Sequence, residues 1–450
     1  MEPEQPHPHF SPDPVPHEAV PASDAGGRRL SIDLTPLRVS RDFRLLFISQ
    51  TVSFFGSMMS FVVLPVQMYQ LTKSSLAVGM LGAAECVPLI VMALVGGALA
   101  DYFDRRRVVQ LSELLLAFGS AALIVNALLP HPRAWVLFVC AAAFAALSGL
   151  KRPSMQALYP RLVASELIPA VSALNSLGGT LGSILGPVAG GLLATAAGPV
   201  FAYSTNLITF MFSLVLLLML RASPPPPDAH APSLRSIAEG LRYAKSRPEL
   251  MGTYLVDMNA MFFGMPMALF PAMAAGFGAS SVGLLYAAPA AGALLATLTS
   301  GWTPRVQRQG LAVTIAAGLW GVAIIGLGFS GHLWLALLCL LLAGAADGVS
   351  GLFRQTIWNQ TIPDHLRGRL AGIEMISYMT GPLLGNAESG VTASLFGIRA
   401  SIVSGGVLCV VGTAALALAL PAFLAYTGSE GLARKQREEA ARKIGQEEIG

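Results

Sequence analysis

Charge is scarce in this chain: 12% of its 450 residues are Asp, Glu, Lys or Arg, while 54% are hydrophobic and mean hydropathy is +0.62. Soluble domains carry roughly a quarter charged residues, so this composition excludes one and makes a lipid bilayer the expected solvent. Cysteine is scarce too. Cys86, Cys140, Cys339 and Cys409 all fall in apolar runs without paired spacing, which excludes a disulfide framework and a zinc site. The chain has no GxxxxGK(S/T) phosphate loop, metal-ligand cluster or nucleophile elbow, so ATP hydrolysis, a metal, a cofactor and an enzymatic reaction are not expected. Residues 1–27 lack the apolar stretch of a cleavable signal, and the Pro-rich, polar segment 1–35 is expected to be a disordered tail.

Apolar runs fill the rest. A spanning helix needs about 20 such residues. Runs interrupted by loop signals predict twelve spans, near 44–69, 76–100, 108–129, 134–155, 168–197, 200–221, 250–274, 280–301, 310–329, 332–354, 368–396 and 399–426. With the N-terminus in the cytoplasm, all but three of the 29 Lys and Arg lie on the inner side, the exceptions being Lys73, Arg133 and Arg399. This bias predicts both termini in the cytoplasm, and the net charge of +4 then reflects topology, not a nucleic-acid surface. Between the sixth and seventh spans, residues 222–249 are expected to form a cytoplasmic linker. In it Pro224 to Pro227 precede a stretch with Leu234, Ile237 and Leu241 on one helical face, an amphipathic pattern suited to the inner leaflet. Residues 427–450 form a charged cytoplasmic tail.

The two halves echo each other. Val78 and Gly79 match Val282 and Gly283 at an offset of 204, while Pro160, Gly178 and Gly182 match Pro363, Gly381 and Gly385 at 203. Parallel repeats of this kind predict an all-α membrane protein of twelve transmembrane helices in two pseudo-symmetric six-helix bundles, 36–221 and 250–426.

Ionisable residues inside spans are costly and hence functional candidates. Glu85, Asp257, Glu374 and Asp347 are the candidates for proton coupling; Glu85 and Asp257 have no evident local partner. Asp347 and Arg354, seven apart, share a helical face and are expected to pair. Glu113 is expected to balance the loop arginines. Gln50, Ser53, Ser57 and Ser60 form a polar stripe suited to a water-filled cavity. Met258, Met261 and Met265, with Tyr286 and Tyr378, are further cavity candidates, since thioethers repack around bulky ligands, although such methionines also suit plain core packing.

Two motifs carry a family signal. Gly97-Ala-Leu-Ala-Asp101-Tyr-Phe-Asp-Arg105-Arg106-Arg107 resembles the loop signature of the major facilitator superfamily, with Tyr102 where the family has a basic residue and Asp104 where it has Gly. Gly182-Ser-Ile-Leu-Gly186-Pro187-Val-Ala-Gly190-Gly191 matches the exporter-associated motif of the fifth helix, whose small residues permit tight packing. The fourth helix lacks the intramembrane Arg of drug antiporters, running uncharged to Lys151 and Arg152. Together with Asn126-Ala-Leu-Leu-Pro130, the proline run and Val282-Gly-Leu-Leu-Tyr-Ala-Ala288, these segments resemble the bacterial enterobactin exporter subfamily over residues 36–426. The resemblance implies a multi-pass inner-membrane transporter that exports a siderophore or comparable bulky molecule against protons by alternating access. A macrolide-type efflux pump, an importer of the same fold, and a membrane enzyme or sensor are the alternatives. The implied partners are a small-molecule substrate, protons and the bilayer; a periplasmic or outer-membrane efflux partner stays open.

Overall fold

A computed structural model describes residues 33–102, 104–221, 242–363 and 366–447. The 1–32 tail and the proline run with Leu234, Ile237 and Leu241 lie outside them. The described chain is helical: α1 Arg41–Thr72, α2 Ser75–Tyr102, α3 Arg105–Leu128, α4 Ala134–Leu162, α5 Ile168–Ala196, α6 Pro199–Leu218, α7 Pro248–Phe277, α8 Val282–Leu298, α9 Gln309–Gly328, α10 Leu333–Thr361, α11 Arg367–Phe396, α12 Ile398–Ala419 and α13 Gly428–Glu447. Eleven of these spans are long and apolar enough to cross a membrane. α11, the remaining expected span, has 30 residues but carries Glu374 and Glu388 and so falls short in hydropathy. Outward-facing Phe118, Val125, Phe201, Ile208 and Val215 give the bundle an apolar exterior, the reverse of a soluble protein.

Each connection has a local cause. Ser40 caps α1 by accepting from the Phe43 N–H at 3.1 Å, and Asp104 caps α3 by accepting from Arg106 N–H at 3.0 Å. Gly198 (φ 84°) and Gly397 (φ 91°) make the sharp turns into α6 and α12, a conformation that would strain any side chain. α7 is broken across Gly264–Leu269, where Pro266 cannot donate to a helix ladder. Three side chains from other helices satisfy the freed backbone: Trp320 Nε1 donates to Gly264 O at 3.0 Å, Tyr286 OH donates to Met267 O at 2.9 Å, and Asn386 Oδ1 accepts from Ala268 N–H at 3.0 Å. An irregular backbone at membrane depth survives only with such partners.

The repeat is real, but its register differs from the sequence reading. Through α2 and α8 the offset is 204, and Leu46, Ser49 and Ser53 share burial with Leu250, Thr253 and Asp257. From α4 and α10 onward it is 199: Cys140 with Cys339, and the turn glycines Gly198 with Gly397. α9 has 20 residues where α3 has 24, and the following loop is one residue shorter, which accounts for the change. The 203 pairings are therefore corrected: Gly381 answers to Gly182 and Gly385 to Gly186, Pro160 answers to Asn359 and not to Pro363, and Gly390 answers to Gly191. Gly182 packs on Phe54, and Gly381 on Met261 and on Met258, the latter 204 residues from Phe54.

The halves meet tightly at the end where α1 turns into α2, called here the far end, opposite the termini. A Cβ on Gly191 would lie 2.6 Å from Gly283 Cα, and a Cβ on Gly390 2.9 Å from Gly79 Cα. Thus α5 crosses α8, and α11 crosses α2, at repeat-equivalent glycines that let the backbones touch. At the termini end α13 docks on the entry to α7: Arg434 Nη1 lies 3.2 Å from Glu249 Oε1, Arg247 pairs with Glu438, and Tyr243 OH donates to Glu438 Oε2 at 3.2 Å. Burial, the largest cause, pushes the Tyr243 hydroxyl up to about 12, so it stays a donor there.

Candidate functional site

Between the bundles lies a cavity of about 370 Å³, lined by Ser57 and Phe61 of α1, Glu85 of α2, Met265, Tyr378 and Asn386. A second cavity of about 350 Å³ reaches into the C-terminal bundle past Asp257, Asp347, Arg354 and Trp358, and shares Met265, Tyr378 and Pro382 with the first. A larger space of about 590 Å³ is an apolar groove on the outward face of α9 and α10, with Ile315, Leu319 and Val322 exposed. It holds no charged side chain and belongs to the lipid-facing surface, so size alone does not mark the site.

Glu85 faces the shared cavity and forms no hydrogen bond or ion pair with any described residue. Asp257 does have a partner, contrary to the sequence expectation: it pairs with Arg354 of α10, which also reaches Asp347 Oδ1 at 3.3 Å. The expected Asp347–Arg354 pairing is present, but as one arm of a triad that also involves α7. The sequence could not show it, because Asp257 and Arg354 are 97 residues apart and meet only when α7 packs on α10. Glu374 of α11 lies within electrostatic reach of Arg354 and Arg152. Arg152 reaches across from α4, its guanidinium 5.3 Å from the Tyr378 ring centre and its Nη1 3.6 Å from Met379 Sδ.

The polar stripe of α1 is divided between two roles. Ser57 borders the cavity, whereas Gln50 and Ser53 turn away and donate to Glu113 of α3, at 3.3 Å and 2.9 Å. Ser60 is buried and accepts from Asn206 Nδ2 at 2.6 Å. Glu113 does not balance the loop arginines; it pairs with Lys151 Nζ at 2.8 Å. The expected span over 134–155 already held Lys151, but its partner, 38 residues away in α3, is fixed only by how α4 packs on α3. Met261 and Met265 line the second cavity, and Met258 lies with Met261 against Gly381. Tyr286 sits at the seam, its ring 5.6 Å from Phe61 and its hydroxyl held by the α7 break.

Among the motif residues, the surroundings of Gly97 and the side chain of Asp101 lie outside what is described. Arg105 is buried, and Arg106 Nη2 donates to Leu218 O at 2.8 Å, capping the C-terminus of α6. Gly186 and Gly190 lie against the Met58 and Met59 segment of α1, and Gly191 against α8; Pro187 leaves its own carbonyl facing Gly283. The motif is thus a bare face for close helix approach on both sides.

A family model described as transmembrane secretion effector matches residues 31–441. The chain is similar to the enterobactin exporter EntS of Citrobacter koseri, 29% identical over 384 residues that cover 85% of this chain and 92% of the relative. It is 30% identical to the EntS of Shigella boydii over 385 residues, with the same coverage. Among solved structures, a POT family transporter in complex with 5-aminolevulinic acid superposes with TM-score 0.68 at 14% identity, covering 85% of this chain and 97% of that one. A bacterial homologue of the human lysosomal transporter Spinster, in an inward-facing, unoccupied conformation, gives 0.68 at 17% identity, with the same coverage. At these identities the structural likeness speaks for the fold alone.

Proposed function

Because this chain belongs to the transmembrane secretion effector family of major facilitator transporters, we propose that it exports an enterobactin-like siderophore or a comparably bulky small molecule from the cytoplasm in exchange for protons. It is a multi-pass membrane transporter and not an enzyme. The observation that carries the finer reading is the shared cavity: both halves line it, glycine crossings close it at the far end, and a carboxylate with no partner among the described residues, Glu85, faces it.

Export needs a cavity that opens alternately to either side. Close packing is bistable, so parting Gly191 from Gly283 and Gly79 from Gly390 while the termini end draws together moves the opening from one face to the other. The positive-inside bias supports the cytoplasm as the termini side of an inner-membrane protein, and the far end then faces the periplasm. Ser57, Phe61, Met265 and Tyr378 make a largely apolar wall with few polar handles, which suits a bulky, partly aromatic cargo. Proton entry is assigned to Glu85 and to the Asp257–Arg354–Asp347 triad with Glu374: each carboxylate can be neutralised by a proton, and charge at this depth is costly without one. The residues at the two cavities would hold substrate and protons; no cofactor enters the scheme.

The test is transport in proteoliposomes under an imposed pH gradient, with enterobactin and a macrolide as parallel cargoes. Gradient-driven accumulation of enterobactin in the export sense, lost in Asp257→Asn or Glu85→Gln, is the expected result. Accumulation of the macrolide alone would move the assignment to drug efflux, accumulation in the opposite sense to import, and indifference to the gradient would sink proton coupling.

A further inference from the structure

The groove of about 590 Å³ on the outward face of α9 and α10 lies outside the transport path, and its termini end differs in chemistry from the rest. On α9, Ala312, Ile315, Leu319 and Val322 follow one another at spacings of three and four, so they form one stripe along the helix. Ala345 and Val349 of α10 belong to the facing wall. One turn back from Ala312 the same stripe reaches Arg308, the N-cap residue of α9. Trp302 borders the groove at that end. It stands three residues before Arg305 in the short 3-10 turn Ser300–Arg305, a spacing that sets the two side chains one above the other. From this placement we infer that the groove binds an anionic diacyl phospholipid, with one acyl chain along α9 and α10 and the headgroup phosphate on Arg305 and Arg308.

Length supports this. At about 1.5 Å per residue, Ala312 to Ala323 spans roughly 16 Å, about half of a 30 Å hydrocarbon core. The groove therefore runs from the termini side of the membrane to near its middle, the reach of a chain from one leaflet. Trp302 is 40% exposed, with its ring 5.8 Å from that of Phe353, and marks the interface level where amphipathic rings settle.

Charge supports it independently. Arg305 and Arg308 are exposed, and neither side chain bonds to another described residue. No Asp or Glu lies between Asp257 and Asp347 in sequence, so α8, the turn and α9 bring no acid of their own. At the 204 offset the first half has Asp101 and Asp104 where this half has Arg305 and Arg308. Asp104 is likewise an N-cap residue and accepts from Arg106 N–H. The first half thus carries acid in its loop, whereas in the second the anion has to come from outside. A second copy of the chain suits this face less well. Copies sharing one membrane orientation are related by an axis along the membrane normal, which would gather the arginines of both at one end of the interface, like charge against like. A lipid offers the opposite charge there and an apolar chain for the rest of the groove.

The inference needs the fold and the bilayer, not the transport reading, and its test involves no cargo. The full chain is placed in phosphatidylcholine nanodiscs containing increasing fractions of a lipid with brominated chains, which quench a neighbouring indole. Trp302 emission is isolated as the difference between the parent chain and Trp302→Phe, which keeps a ring against Phe353. An arginine beside an anionic headgroup is worth about fivefold in affinity, so brominated phosphatidylglycerol should half-quench Trp302 at a roughly 25-fold lower fraction than brominated phosphatidylcholine. Arg305→Gln/Arg308→Gln should bring the two lipids level. Ala345→Phe, which fills the groove and leaves both arginines, should raise the fraction of phosphatidylglycerol required. Equal quenching by both lipids in the parent chain overturns the inference, because it means unselective bilayer contact. A preference untouched by Ala345→Phe overturns it too, because the arginines would then act as a plain charged surface. Shielding of Trp302 from both lipids, relieved when the protein is diluted in lipid, would put a second copy on this face and overturn it likewise.

Discussion

Arg354 is the residue on which the C-terminal charge centre depends. It is 9% exposed and serves two carboxylates from two helices, so its loss leaves Asp257 buried and uncompensated. Breaking a buried pair from one side costs about 3–5 kcal/mol, whereas removing both charges is far milder. Arg354→Met should therefore lower the melting temperature of the purified protein markedly, and Asp257→Asn/Arg354→Met should recover most of the loss. Both variants should be inactive in gradient-driven transport, which separates the stability role from the coupling role. Trp320 offers a second residue-scale test: Trp320→Phe keeps the ring but withdraws the donor from Gly264 O, and an unsatisfied buried carbonyl costs about 1–3 kcal/mol. A thermal-shift measurement checks it.

At the scale of elements, the two glycine crossings make a symmetric prediction. A Cβ at Gly283 would meet Pro187 O at 2.5 Å, and one at Gly79 would meet Asn386 O at 2.4 Å. Backbone cannot yield as a flexible side chain does, so Gly283→Val and Gly79→Val should each pry the far end apart. Thiol-reactive probes at Lys73→Cys should then label faster in both variants than in the parent chain. Equal effects follow from the repeat; an effect at Gly283 alone would mean that the fifth-helix motif seals the cavity without its α11 counterpart. The interrupted α7 shows how an element is decided by its neighbours. Gly264 and Pro266 announce a break, but only Trp320, Tyr286 and Asn386, from three other helices, make it tolerable in an apolar setting.

For the whole molecule, α13 ties the chain's end to the entry of α7. Glu249 is 6% exposed and has Arg434 as its partner, so deleting residues 428–450 strands a buried carboxylate and releases Arg247. The shortened protein should melt earlier than the full chain, and added salt should narrow the difference, because the Arg434 side of the pair is exposed and screened. A melt series over ionic strength decides this. Topology is open to reporter fusions: tags on both termini should report the cytoplasm, and a tag in the loop at His131 the periplasm.

Much of this architecture follows from composition and order alone, because a bilayer admits few solutions. Backbone polar groups must be satisfied within each span, so apolar runs near Arg41–Thr72 or Ile398–Ala419 have to be helices, and the basic loops orient them. Glycines at four-residue spacing in α5 mark a packing face for the same local reason. What the tertiary structure alone decided is who meets whom. Asp257 and Arg354, Glu113 and Lys151, and Arg152 and Tyr378 come from different helices, and their pairing depends on rotation and register that no local pattern encodes. The repeat register likewise changed because α9 is shorter than α3, a difference invisible to a single offset. Charges in a low-dielectric interior act on whatever lies within a few ångströms, and only the packed bundle sets those distances.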